Sequence, residues 1–279
     1  MARATTVKMR NLKGLDLDRG VYRTTPRRLS TMGSFSPTWT LYSQFIPLCF
    51  RSAFQAREGR YDGAQWARSS QDLLLMLESA GVRLTVTGLD HITSIDGPCV
   101  IAGNHMSMLE TLVVPGLVHP LKPITFTVKD SLVRYPIFKD ILLTRDPIVV
   151  ARTNPRADFQ AVMEGGLERL NKGISIVVFP QSTRMTHFDR TKFNSIAAKL
   201  ARRAKVPLVP MALRTDVWQQ AKWGVKDLGR LVPERPAFIA FDEPIHIEGR
   251  GDDAHERTLA FIEESLDTWG LAPIRASSA

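Results

Sequence analysis

Apolar and polar positions along this chain follow two periods that alternate, and the alternation predicts strands and helices in turn. Residues 82–88 alternate apolar with polar, the period-two pattern of a half-exposed strand. Residues 98–102 are a short apolar run, as in a strand buried on both faces. Residues 124–128, 148–151, 174–179 and 206–213 read as further strands, and 238–241 and 245–247 as late ones. Between them, apolar residues at helical spacing predict helices over 64–80, 107–118, 158–171, 194–205 and 253–269. Strands that alternate with helices predict an α/β fold: a single domain with a mixed, largely parallel sheet flanked by helices.

The pattern changes before residue 81. Residues 1–34 are basic and polar, with Arg27 and Arg28 adjacent, and read as a flexible or surface-draped arm. Residues 35–51 are rich in aromatics and interrupted by Pro37 and Pro47, too short and broken to span a bilayer. Aromatics beside Arg51, Arg57 and Arg60 suit a membrane interface, and equally a face packed into the core. The expected organisation is therefore an arm over 1–34, a helical, amphipathic membrane-interface segment over 35–80, and one domain over 81–272.

Composition narrows the partners. Thirty-seven Lys and Arg against 28 Asp and Glu give the 279-residue chain a formal charge of +9, which favours anionic partners. No nucleic-acid-reading motif accompanies the basic residues, so nucleic acid is not an expected partner. Cys49 and Cys99 form no metal-spaced cluster, the six His are scattered, and neither a metal site nor a disulfide framework is expected. Neither a signal peptide nor a clear transmembrane run is read from the pattern.

Two stretches carry candidate chemistry. Gly103-Asn104-His105-Met106-Ser107-Met108-Leu109-Glu110 joins a strand to a helix. A His in that turn and a carboxylate in the first helical turn, reaching back, form a candidate general base and its orienting partner: His105 and Glu110. The ordinary reading stands beside it, a loop His and an acidic residue favoured by the helix dipole. Ser107, two positions on, suits a helix cap. The second stretch, Phe179-Pro180-Gln181-Ser182-Thr183-Arg184, follows the most strand-like run and places an amide, two hydroxyls and a guanidinium at a strand's carboxyl end, where open α/β sheets bind ligands. Arg184 suits bidentate phosphate contact, or simply a solvated loop.

Together these stretches resemble the glycerolipid acyltransferases. That family's N-H-x-S-x-x-D motif is similar to Asn104-His105-Met106-Ser107-Met108-Leu109-Glu110, with Glu where Asp is usual. Its F-P-E-G-T-R motif is similar to 179–184, with Gln181 for Glu and Ser182 for Gly. Its K-x-x-L-x-x-x-P motif matches Lys129, Leu132 and Pro136; an Arg at the end of the next strand matches Arg152; V-P-x-x-P matches Val206, Pro207 and Pro210. The resemblance covers about residues 82–250.

The resemblance implies an O-acyltransferase that moves a fatty acyl group from acyl-CoA or acyl carrier protein to the hydroxyl of a lysophospholipid such as 1-acylglycerol-3-phosphate, in phospholipid biosynthesis or remodelling. The acyl donor is a substrate, and no cofactor is implied. His105 takes the hydroxyl proton, Glu110 holds the imidazole, and backbone N–H groups near the motif turns hold the oxyanion. Lys129, Arg152, Gln181, Ser182, Thr183 and Arg184 bind the acceptor. The expected partners are a phospholipid membrane surface, the lysophospholipid and the donor, with peripheral or monotopic association on the cytoplasmic face. Two other classes stay open at this point: a non-catalytic membrane lipid-binding protein with a degenerate site, and a thioester or lipid hydrolase.

Overall fold

The computed structural model describes residues 15–16, 19–24, 36–181, 183–221 and 228–271. Among these, nine strands form one sheet: β1 (Leu15–Asp16), β2 (Val21–Arg23), β3 (Leu84–Thr87), β4 (Val100–Gly103), β5 (Ile124–Lys129), β6 (Ile148–Val150), β7 (Ser175–Val178), β8 (Leu208–Arg214) and β9 (Ala237–Phe241). Their order is β1-β2-β3-β9-β8-β4-β7-β5-β6. The pairs β3–β9, β8–β4, β4–β7, β7–β5 and β5–β6 are parallel, and the others antiparallel. The mixed, largely parallel sheet expected from the pattern is therefore present.

Helices cover both faces. On one face lie α1 (Pro37–Arg57), α2 (Gly63–Ser79), α3 (Leu89–Thr93), α4 (Leu109–Val118) and α5 (Phe138–Leu143). On the other lie α6 (Pro155–Asn171), α7 (Ile196–Ala204) and α8 (Asp252–Thr268). The strands between them alternate their loyalties. Ile101, Val177 and Val209 point into the first core, and Val100, Ile176 and Leu208 into the second. This explains why β4 and β7 read as continuous apolar runs: every residue of each is buried.

Several expectations change. Of the arm over 1–34, residues 21–23 extend the sheet as β2, paired with β3, and Tyr22 is wholly buried, so this part is sheet rather than arm. Its short strand, flanked by a polar stretch, gave too weak a period to be read. Residues 1–14, 17–18 and 25–35 lie outside the described residues. The proline-interrupted stretch 35–51 is not broken: α1 runs unbroken through Pro47, with Pro37 in its first turn and the Ser36 hydroxyl accepting from Trp39 N–H. Pro fits the first turn because that N–H has no helical acceptor anyway. Residues 245–247 make only an isolated bridge, Leu208 to Ile245, and not a strand.

The aromatic question over 35–51 resolves by face. Leu41, Phe45 and Leu48 of α1 join the first core. On the opposite side Trp39, Ile46, Phe50 and Phe54, spaced by seven, four and four residues, are 64%, 45%, 57% and 58% exposed. That is one apolar stripe left toward the surface. No helix among the described residues is long and apolar enough to cross a membrane.

Helices α2 and α4 pack closely, which sets the height of the helix that carries Glu110 in its first turn. Gly116 approaches α2 so tightly that a Cβ there would lie 2.8 Å from Ser70 Oγ. Ser70 Oγ accepts from Gly116 N–H at 2.7 Å and donates to a carbonyl at Leu112, while Gln71 Nε2 donates to Gly116 O at 2.9 Å. These bonds serve backbone groups beside Pro115, which has no N–H to give. At the far end of α4, His119 packs edge-on against Trp66 and accepts from Ile124 N–H. Burial first, then the Arg145 guanidinium, pushes its pKa down to about 4. A His with a lowered folded pKa stabilises least when the unfolded chain can take up its proton. Stability should therefore fall as pH drops from about 6.5 toward 4, by about 3 kcal/mol at the limit. His119→Gln should flatten that part of the profile, measured as urea midpoints between pH 4 and 7.

Candidate active site

The site forms at the carboxyl ends of β4, β5, β6, β7 and β8. Asn104 leaves β4 and clamps it to β8: Nδ2 donates to Leu213 O and Oδ1 accepts from Leu213 N–H, each at 2.8 Å. Just before it, Gly103 lies so near β8 that a Cβ would sit 2.9 Å from Met211 O. The next residue, His105, is thus delivered to a fixed place.

His105 is bracketed by the turn after β7. Gln181 Oε1 accepts from His105 N–H at 2.8 Å, Met185 N–H donates to His105 O at 2.9 Å, and the Phe179 ring stacks on the imidazole at 4.4 Å and 14°. The imidazole Nδ1 bonds Glu110 Oε1 at 2.8 Å. An ionised Glu110 accepts, so Nδ1 carries the proton. Nε2 is then left basic, without a partner among the described residues, in a side chain that lines a cavity.

Glu110 itself is wholly buried behind His105. Its Oε1 also accepts from Met106 N–H at 2.7 Å and Ser107 N–H at 2.8 Å; its Oε2 accepts from Ser107 Oγ at 3.0 Å and Thr215 Oγ1 at 2.6 Å. Burial pushes the carboxyl pKa up. The His105 hydrogen bond and charge, then Thr215 and Ser107, outweigh it and hold the group below the ordinary carboxylate value. Its contribution to stability is present above that ordinary value and is lost as pH falls through the lowered one. Ser107 Oγ also accepts from Leu109 N–H at 3.0 Å, although the N-cap position of α4 falls on Met108 and not on Ser107 as read from the sequence.

The cavity is mostly apolar. Phe45 and Leu48 from α1, Trp66 and Leu73 from α2, Leu112 from α4, Phe126 and Val128 from β5, and Phe138 and Ile141 from α5 line it. His105 shares it with three cations, Lys129 at the end of β5, Arg152 beyond β6, and Arg184 beyond β7. Arg152 stands in left-handed backbone at φ +59°, and Asp158 Oδ1 accepts from the preceding N–H at 2.8 Å. Partial desolvation, then the charge of Arg184, lowers the Arg152 pKa, and Asp158 opposes the shift. Two guanidiniums on one cavity wall, close enough for one to feel the charge of the other, suit a bidentate anion. Cys49 also lines the cavity, but burial pushes its pKa up to about 12, so it stands there as a neutral thiol and not a nucleophile.

The structure thus brings together His105, Glu110, Lys129, Arg152 and Arg184. Gln181 and Thr183, also expected at the acceptor, do not line this cavity. Gln181 is buried and its amide oxygen is spent on the His105 backbone. Thr183 is exposed and lines no part of this cavity, and Ser182 lies outside the described residues. Of the backbone N–H groups near the motif turns expected to hold the oxyanion, those of 105, 106 and 107 are bonded to Gln181 or Glu110. Sequence reading missed Asn104, Phe179 and Thr215. The visible signal for Thr215 was a hydroxyl residue just after the strand read over 206–213. If Gln181 is a strut, Gln181→Leu should leave a buried N–H unpaired and cost about 1–3 kcal/mol, while Gln181→Glu, which keeps the acceptor, should cost less. Thermal unfolding of the two variants checks this.

Residues 83–214 match the family described as Acyltransferase. A 1-acyl-sn-glycerol-3-phosphate acyltransferase of Pseudomonas aeruginosa is 29% identical over 234 residues, covering 83% of this chain and 82% of that protein. A probable 1-acyl-sn-glycerol-3-phosphate acyltransferase of Mycoplasma genitalium is 32% identical over 119 residues, 42% of this chain and 44% of that one. In fold, the crystal structure of the 1-acyl-sn-glycerophosphate (LPA) acyltransferase PlsC from Thermotoga maritima superposes with a TM-score of 0.64 at 16% identity, covering 87% of this chain and 97% of that one.

Proposed function

We propose, from the premise that this chain belongs to the glycerolipid acyltransferase family and is an O-acyltransferase of phospholipid synthesis, that it acylates the hydroxyl of a lysophospholipid phosphate such as 1-acylglycerol-3-phosphate. The donor is a fatty acyl thioester of CoA or acyl carrier protein. The observation that carries the reading is His105 with its Nδ1 on Glu110 and its Nε2 open in an apolar cavity that also holds Lys129, Arg152 and Arg184.

The chemistry follows from that layout. Nε2 takes the proton of the acceptor hydroxyl as its oxygen attacks the thioester carbonyl. The imidazolium that forms is stabilised by the Glu110 carboxylate. Collapse of the tetrahedral adduct expels the thiolate, which recovers a proton from His105. No enzyme nucleophile is required, because the acceptor supplies it. Arg152 and Arg184, with Lys129, hold the acceptor phosphate, and the apolar cavity takes an acyl chain. The exposed stripe of α1 faces the lipid surface from which such substrates come.

His105→Ala should lower kcat by roughly 10²–10⁴-fold with the circular dichroism unchanged. Full activity in that variant would overturn the role of the base, and free fatty acid without acylated acceptor would make water the acceptor. Arg184→Ala should raise KM for a phosphate-bearing acceptor roughly tenfold or more, leaving KM for the donor nearly unchanged. Replacing Phe50 and Phe54 together by Asp should weaken binding to phospholipid vesicles by about a hundredfold, from about 1.5 kcal/mol for each aromatic withdrawn from the interface. Vesicle sedimentation measures it, and unchanged binding would remove α1 as the docking face.

A further inference from the structure

We infer that Thr215 is a positioning residue of this reaction: its hydroxyl holds one oxygen of Glu110 so that the other stays on His105 Nδ1. The inference rests on the acyl-transfer reading above and adds to it a residue from outside the two motifs.

Glu110 reaches its partners through a flexible three-torsion side chain. Three of its hydrogen bonds come from the backbone and hydroxyl of the 105–107 turn, and a fourth from the imidazole that it must orient. All four move with that turn. Thr215 Oγ1 is the donor that comes from elsewhere in the fold, at 2.6 Å, the shortest of the five. Thr215 is wholly buried, so no water stands ready to replace its hydroxyl.

The donor is itself held on every side. Two residues earlier, Leu213 is clamped to Asn104 through both backbone groups. One residue later, the buried Asp216 carboxylate pairs with Arg235 at 2.7 Å. Trp218 N–H donates to Thr215 O, and Trp218, almost wholly buried, packs edge-on against Phe45 of α1 at 5.6 Å. A carboxylate anchored on both oxygens, each to the turn and one also to the residue just after β8, loses the rotation that would let the imidazole swing. The charged groups on the surrounding elements include Asp216, paired with Arg214 and Arg235, and Lys129, Arg152 and Arg184, which line the cavity. Substitution at Thr215 alters none of them.

The near-isosteric Thr215→Val should lower kcat about 5- to 50-fold with KM for both substrates within a factor of two. With one donor fewer, the Glu110 carboxylate offers more charge to the imidazolium, so the acid limb of the kcat profile should move to higher pH. Thr215→Ser should restore most of kcat and the position of the limb. Nitrogen NMR of His105 in the full chain supplies a readout that needs no turnover: its titration midpoint should move the same way in the Val variant and return in the Ser variant. If Val does not fold, Ser and Cys make the same comparison, since they differ in donor strength and little in size. Wild-type kcat and an unmoved limb in the Val variant would overturn the inference, as would equal loss in Val and Ser. Absence of acyl transfer in the wild type would count instead against the reaction assigned above, and the NMR comparison would still decide the role of Thr215.

Discussion

A single buried negative charge organises the site. The Glu110 carboxylate sits with no exposure to solvent and accepts five hydrogen bonds, from His105, Met106, Ser107 twice, and Thr215. An isolated carboxylate in such a place costs several kcal/mol. Five donors, one of them on an imidazole, offset that cost and at the same time fix the geometry. The turn from β4 to α4 therefore has one shape compatible with burying Glu110, and that shape aims His105 at the cavity. The resemblance with Glu in place of Asp gains a physical account here. The longer arm still delivers Oε1 to the imidazole, and it brings Oε2 to the far wall at Thr215.

Much of this was legible in the chain, and the parts that were not share a cause. The α/β alternation was readable because the period changes from two to 3.6 at each element. His105 and Glu110 were readable because strand, turn and helix start are local. The clamp of Asn104 on Leu213 spans 109 residues and the bond from Thr215 to Glu110 spans 105. Such contacts depend on β4 and β8 being neighbours, and strand order is not written in any local pattern. Gln181 was misjudged for a related reason. Its place beside Arg184 gave it the look of a ligand group, while the fold turns its amide inward to serve the backbone of a residue 76 positions away. Helix α1 was read as helical but as broken at its prolines: one lies where a helix starts and the other was tolerated because tertiary packing, through Phe45 and Leu48, overrode local propensity.

The two faces of α1 connect the surface to the chemistry. Its inner face lines the cavity with Phe45 and Leu48 and meets Trp218, three residues beyond Thr215. Tyr42 OH accepts from the Trp218 indole at 3.1 Å and donates to Gly229 O at 2.7 Å. Its outer face carries the exposed aromatics. One helix therefore forms a cavity wall, braces the loop that follows β8, and presents an exposed apolar stripe.

Strand polarity leaves the molecule with one chemically busy end and one quiet end. His105, Lys129, Arg152, Arg184 and Thr215 all lie at or beyond the carboxyl ends of strands, while the turns at Gly97 and Gly173 precede β4 and β7 at the opposite end, in left-handed backbone with open space where a Cβ would stand. Chain breaks, fusions and new termini belong at those two turns. A circularly permuted or domain-inserted form of the enzyme cut there leaves the contacts of Glu110 untouched, whereas a cut at the other end falls among the turns that carry His105, Arg152, Arg184 and Thr215.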